Sequence, residues 1–169
     1  MKAKSRTVLW LAFGTFAIAW TWVAATAGDE IPGHFDASGA VTRWDSKWSF
    51  LGPIGGICLG LTLAFGSARF LIARVPGHAI SIANHRYWTD PVNRAEFDRR
   101  ISEDLEWLGA ATALLLAWMA AVAGTSTDGS VDTWLLVAPT VLYLVGVLGY
   151  CADMIWGGRY RVPQQQMPQ

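Results

Sequence analysis

Charge is scarce in this sequence, and it is missing altogether from four long stretches. Asp, Glu, Lys and Arg make up 15% of its 169 residues, against roughly 25% in an ordinary soluble domain. Cysteine is scarcer still. Cys58 and Cys151 are too few for the disulfide framework of a small secreted domain and lack the paired spacing of a zinc site. His34, His78 and His85 are the only histidines, which leaves little material for a metal centre or an acid–base pair. No phosphate loop, GxSxG elbow, HExxH or CxxC occurs. Basic and acidic residues number 13 each and cancel, so no overall field draws nucleic acid. Composition therefore argues against an enzyme, a cofactor or metal protein, and a nucleic-acid binder.

What the chain does have is hydrophobic length. Residues 7–28, 49–68, 107–127 and 133–152 contain no Asp, Glu, Lys or Arg. Each window holds about 20 residues, which at about 1.5 Å per helical residue spans a hydrocarbon core of roughly 30 Å. A charge at mid-helix opposes insertion by about 2.5–3.5 kcal/mol, whereas each Leu, Ile, Phe or Val favours it by only about 0.3–0.6 kcal/mol. A soluble bundle would need polar outer faces, and these windows have none. The expected fold is an all-α integral membrane protein with four transmembrane helices, over about residues 7–28, 49–75, 107–127 and 133–154. They form one domain over residues 1–154, followed by a short tail over 155–169. The first window also resembles a secretory signal, with Lys2, Lys4 and Arg6 in front and Ala25-Thr26-Ala27 at its end. Its apolar run exceeds the usual 7–15 residues, and Trp20 and Trp22 near its far end fit an interfacial anchor, so a retained helix is expected.

Lys2, Lys4, Arg6, Arg69, Arg74, Arg86, Arg94, Arg99, Arg100, Arg159 and Arg161 fall on one side of this arrangement, and only Arg43 and Lys47 on the other. The positive-inside rule then puts both termini in the cytoplasm. Trp10, Trp107 and Trp156 fall near the inner boundary, and Trp20, Trp22, Trp48 and Trp134 near the outer one. Cys58 and Cys151 differ in depth by roughly 13 Å, beyond the ~7 Å Cα reach of a disulfide, and are expected as packed thiols.

Gly52, Gly56 and Gly60 recur every four residues in the second helix, and Gly109, Ala113, Ala117 and Ala121 do so in the third. Small residues on one face let helices approach in lipid, so these rows are either the packing face of helix two on helix three or a homodimer face. Pro53 is expected in the first turn of helix two, where proline is tolerated, and Pro139 inside helix four. Between helices two and three, Asp90-Pro91 reads as an N-cap followed by proline. Phe97, Ile101, Leu105 and Leu108 then form an apolar stripe among charges. The stripe predicts an amphipathic helix on the inner leaflet that runs into helix three, with a docking face as the alternative. The Pro/Gln-rich residues 162–169 are expected to be disordered.

The outer loop between helices one and two is the most distinctive segment. Glu30, His34, Asp36 and Asp45 offer metal ligands, but without a metal-site spacing they are better read as loop residues. In that reading His34 and Asp36 satisfy loop amides, Phe35 and Trp44 seal helix ends, and Lys47 meets lipid phosphate. Ser38-Gly39 supplies a turn. The segment Ile31-Pro32-x-His34-Phe35-x-x-x-Gly39-x-x-x-x-Trp44-x-Ser46-Lys47 resembles the signature of SdpI-like bacterial membrane proteins, in the domain of unknown function that forms their N-terminal part. Tyr87-Trp88-x-x-Pro91 is similar to a motif of the following cytoplasmic loop in that family. The likeness covers about residues 8–110. It departs at Asp36, where Asn is expected, and at Thr42-Arg43, which replaces a more acidic pair; the further helices of a full-length member are not in this sequence.

The resemblance implies a multi-pass protein of the bacterial cell membrane, with toxin immunity or sequestration of a repressor as its role. Its protein partner would be a toxin or repressor, and its recognition residues Pro32, His34, Phe35, Gly39, Trp44, Ser46 and Lys47 outside, with Tyr87, Trp88 and Pro91 inside. The alternative is an accessory subunit of a larger transporter or respiratory complex. The topology is testable directly. Alkaline phosphatase fused after Ser130 should be active and after Gln169 inactive, and the opposite pattern would invert the whole arrangement.

Overall fold

The computed structural model describes residues 4–126 and 128–162. Helix α1 (Lys4–Thr26) is followed by strands β1 (Glu30–Phe35) and β2 (Val41–Ser46), then α2 (Lys47–Gly66) and the short α3 (Ala68–Ile72). A 3-10 turn at Gly77–Ala79 and the short α4 (His85–Thr89) lead into α5 (Pro91–Thr125), and α6 (Thr133–Trp156) closes the fold. Helices α1, α2, α5 and α6 are long and apolar enough to cross a membrane. One end of the bundle carries the β-hairpin; the other carries most of the arginines.

Three boundaries differ from the sequence reading. The second helix was expected to reach residue 75 but stops at Gly66, where Ser67 takes φ −96° and ψ 1° and its N–H turns back to the carbonyls of Leu63 and Phe65. Its start lies earlier than expected, at Lys47, so Pro53 falls in the second turn rather than the first. The third helix is the larger surprise. α5 is one unbroken helix of 35 residues, about 52 Å long at 1.5 Å per residue, so its first half projects beyond a ~30 Å hydrocarbon core. The start of its apolar stripe, Phe97 and Ile101, is covered by protein. Phe97 packs with Trp88 and Tyr160, with Ile72, Ile101 and Met154 around them. A stripe shows that a helix face is covered; it does not show what covers it. The start of the predicted tail also belongs to the fold, since Tyr160 is 5% exposed. Residues 163–169, expected to be disordered, lie outside the described residues.

The main core joins Leu9, Ala12 and Phe16 of α1 to Ala110, Ala113 and Ala117 of α5, with Cys58 of α2. α1 and α5 form the most extensive helix pair. The small-residue row of α5 thus serves α1 first. A Cβ at Gly109 would stand 2.6 Å from Phe65 Cδ2 and 3.1 Å from Leu9 Cδ1, and one at Gly124 would stand 2.6 Å from Val23 Cγ2. The expected partner row of α2 is not used this way. A Cβ at Gly52, Gly56 or Gly60 would meet nothing within 4 Å, whereas one at neighbouring Gly55 would come within 2.9 Å of Trp20 Nε1. Cys58 is buried, Cys151 half-buried, and both are free thiols.

These contacts separate the two glycine rows experimentally. Gly109→Leu forces side-chain volume against Phe65 of α2 and Leu9 of α1 and should lower stability by about 1–3 kcal/mol, the usual cost of overpacking. Gly56→Leu should leave the melting temperature in mild detergent unchanged. Equal melting of the two variants would show that the Gly109 face of α5 is not where the bundle is held.

Candidate functional site

The hairpin is built from its turn outward. Asp36 Oδ1 accepts bonds from the Ser38 N–H (2.8 Å), the Ser38 hydroxyl (2.6 Å) and the Ala40 N–H (3.1 Å). These bonds, the Ser38 hydroxyl first, hold the Asp36 carboxyl below the usual carboxylate range. Gly39 takes φ +84°, and a Cβ there would strike the Val131 carbonyl, so glycine is demanded both by the turn and by the neighbouring chain. The antiparallel strands pair Ile31 with Asp45 and Pro32 with Trp44, with irregularities around His34. The tip then docks on the α5–α6 connection. Val41 N–H donates to the Gly129 carbonyl and Val131 N–H to the Gly39 carbonyl, both at 2.9 Å. At the base, Lys47 Nζ donates to the Ala27 carbonyl at 3.0 Å and Lys47 N–H to the Asp29 carbonyl at 2.8 Å.

This geometry divides the predicted recognition residues into two groups. Pro32 and Gly39 are buried. Ser46 caps α2, its hydroxyl accepting from Ser49 N–H at 3.2 Å. Lys47 ties the α2 start to the α1 end. Those four shape the platform. His34 and Trp44 are exposed and Phe35 half-buried. His34 Nδ1 meets Thr42 Oγ1 at 2.7 Å, a side-chain partner and not an amide. Trp44 keeps 43% of its surface open, so it does not seal a helix end. Among the described residues, no three His, Cys, Asp or Glu side chains are grouped to hold a metal ion.

The second motif is a packing knot at the other end. Trp88 is 2% exposed. Its Nε1–H donates to the Tyr160 carbonyl at 2.9 Å, and its ring lies 4.9 Å from Tyr87 and 6.0 Å from Tyr160. The Arg100 guanidinium stands 5.1 Å from the same ring. Pro91 opens α5, and the Asp90 side chain accepts from Val92 N–H at 2.9 Å, as an N-cap does. His85 reaches the Gly77 carbonyl at 2.9 Å. Arg94 Nη2 staples the end of α3 to α5 through the carbonyls of Ile72 and Val75, at 2.6 and 2.9 Å.

Two buried carboxylates beside this knot were missed by the sequence reading. Asp104 is fully buried and accepts from the hydroxyls of Tyr150 (2.6 Å) and Tyr160 (2.5 Å). Arg159 Nη2 meets Oδ1, the oxygen that also accepts from Tyr150, at 2.6 Å. Burial, and then the bond to Asp104, push the Tyr160 hydroxyl well above the usual phenol range. Glu106 accepts from Ser5 Oγ (2.6 Å) and Arg6 Nε (3.1 Å), while Arg6 Nη2 donates to the Gly66 carbonyl at 3.1 Å. Both carboxylates sit on faces the sequence does mark. Asp104 lies three residues after Ile101, and Glu106 lies three before Gly109 and seven before Ala113, so each continues a buried row at helical spacing.

No family model, no curated protein and no solved structure matches this chain. What the geometry establishes is a bundle of four helices long and apolar enough to cross a membrane, pinned by a docked hairpin at one end and by two buried carboxylate knots at the other.

The Asp104 knot generates its own test. Asp104→Ala leaves two hydroxyls unanswered and Arg159 with only Glu103, 3.5 Å away. It should cost about 2–3 kcal/mol, less than the roughly 3–5 kcal/mol for breaking a fully buried pair, because Arg159 is partly exposed. Maleimide should then label Cys151 faster while Cys58 stays protected. Unchanged Cys151 labelling would mean that α6 does not depend on this knot.

Proposed function

We propose that the chain is a non-enzymatic, multi-pass protein of the bacterial cell membrane that acts as an SdpI-like immunity or signalling protein. Both ends lie in the cytoplasm, and the hairpin faces outward as the recognition surface. The observation that carries this reading is the construction of the hairpin. Its backbone is bonded at the tip to the α5–α6 connection and at the base to the α1 end, yet His34 and Trp44 are left exposed on it. A connector needs no such bracing. Exposed aromatic and imidazole groups on a braced platform fit partner recognition, since a rigid scaffold supplies the precision that binding needs. The partner of the outward hairpin is a protein, a secreted toxin; a repressor would have to be held at the opposite, cytoplasmic end.

A second reading has its own observation. α6 buries no residue completely, and the Gly52, Gly56 and Gly60 face of α2 is open. Both are surfaces on which a larger membrane complex, or a second copy, would pack.

A photoreactive residue in place of Trp44 should capture a discrete protein partner in living cells, and His34→Ala should abolish that adduct without changing the melting temperature. Lys47→Ala should instead lower stability by about 1–2 kcal/mol, because it removes a charge-assisted bond to a carbonyl. Capture of lipid alone at position 44 would sink the recognition reading. Stoichiometric co-purification with a transporter or respiratory complex would favour the second.

A further inference from the structure

We infer that the arginine-rich end holds a binding site for the phosphate headgroup of an anionic phospholipid, between the starts of α1 and α3 and the flank of α5. A polar cleft of about 190 Å³ there is lined by Ser5, Arg6, Arg69, Arg99, Ser102 and Glu106, among others. It adjoins a wider one of about 470 Å³ that shares Arg6 and Arg69 and ends at Phe70.

The cleft lining carries three arginines, Arg6, Arg69 and Arg99, against two carboxylates, Glu103 and Glu106. Glu106 is occupied by Ser5 and Arg6, and Arg99 is occupied by Glu96 and Glu103 at 2.6 Å each. Arg69 lines both clefts, is exposed, and among the described residues has no carboxylate partner. Arg6 is held rigidly by Glu106 and the Gly66 carbonyl through Nε and Nη2, which leaves Nη1 to donate outward. A fixed guanidinium beside a free one is the arrangement that recognises phosphate oxygens, because planar donor forks match them and little ordering remains to be done on binding.

Depth decides between a lipid and a soluble anion. Arg6 immediately precedes the charge-free run 7–28, and Arg69 immediately follows the run 49–68, so the clefts lie where the apolar slab meets water. Phe70 lines the wider cleft and Trp10 stands next to Gly66, which also lines it; both rings are exposed and suit the acyl–headgroup boundary. Basic pockets between transmembrane helices at this level bind anionic headgroups.

The full-length protein, purified in mild detergent and offered equal phosphatidylglycerol and phosphatidylcholine, should retain phosphatidylglycerol preferentially in native mass spectra. Arg69→Glu should cut that retention about tenfold, the factor expected for loss of one charge-assisted contact. Arg86→Glu, outside the clefts, should leave it unchanged. Arg69→Gln should give a smaller loss and serves as the deciding variant if Arg69→Glu does not accumulate. Equal retention of both lipids, or equal loss from the Arg69 and Arg86 variants, would overturn the site. Displacement of the lipid by millimolar inorganic phosphate would overturn the lipid assignment in favour of a soluble anion.

Discussion

The close approach of α1 to the small-residue face of α5 is the contact from which the rest of the structure follows. Lipid is as apolar as leucine, so helices gain nothing by hiding hydrophobic area from it; they associate where packing is tighter than lipid can offer. Gly109, Ala110, Ala113 and Ala117 open that face, and Leu9, Ala12 and Phe16 fill it. Once α1 is seated, its two ends are fixed. At one end Ser5 and Arg6 are brought to Glu106. At the other, Val23 meets Gly124 and the Ala27 carbonyl comes within reach of Lys47. The hairpin and the basic clefts are thus set by one seam.

How much of this was legible follows from what a sequence encodes locally. Four apolar helices were legible, since charge exclusion is a property of contiguous residues. The turn at Ser38-Gly39 and the Asp90 cap with Pro91 were legible because each is a short-range device with specific residue demands. Partner choice was not. The Gly52, Gly56 and Gly60 row looks the same whether it meets α5 or nothing, and Phe97 looks the same beneath lipid or beneath Trp88. The polar knots were hidden for a related reason. Asp104 meets residues 46 and 56 positions later, and Glu106 meets residues about 100 earlier. Only their place on buried helical rows gave a trace of them.

Of the predicted site, the residues that shape the hairpin and those it displays were written in one motif and became separable only in three dimensions. Pro32, Gly39, Ser46 and Lys47 are fixed by backbone geometry, burial or capping, while His34 and Trp44 remain open to the surroundings. The Tyr87, Trp88 and Pro91 motif belongs wholly to the first kind. Trp88 is closed over by Tyr160 and Phe97, and Pro91 sets the first turn of α5.

α6 is fastened differently from the other spanning helices, and this bears on how the two ends can be coupled. No residue of it is fully buried; Met154 joins the Phe97 cluster, and hydrogen bonds to α5 are spaced along its length. Pro139 cannot donate to the Leu135 carbonyl, and the Trp118 indole N–H takes that role at 2.7 Å. Thr112 and Tyr143 meet at 2.9 Å midway, and Tyr150 reaches Asp104 at the far end. Between these ties lies an apolar cleft of about 500 Å³ lined by Trp107, Leu114, Trp118, Leu142 and Tyr143, so α6 shifts more easily than α1. Interhelical bonds of this kind in membranes are worth about 0.6–2 kcal/mol each, a scale on which binding energy can alter a helix position. The connection that leads into α6 is the one bonded to the hairpin tip, and the residues that follow α6 are Arg159 and Tyr160, which close the knot around Asp104 and Trp88. On the proposed reading, a partner that pulls on the hairpin therefore works against the least firmly held helix, and the rigid α1–α5 pair serves as the frame against which it moves.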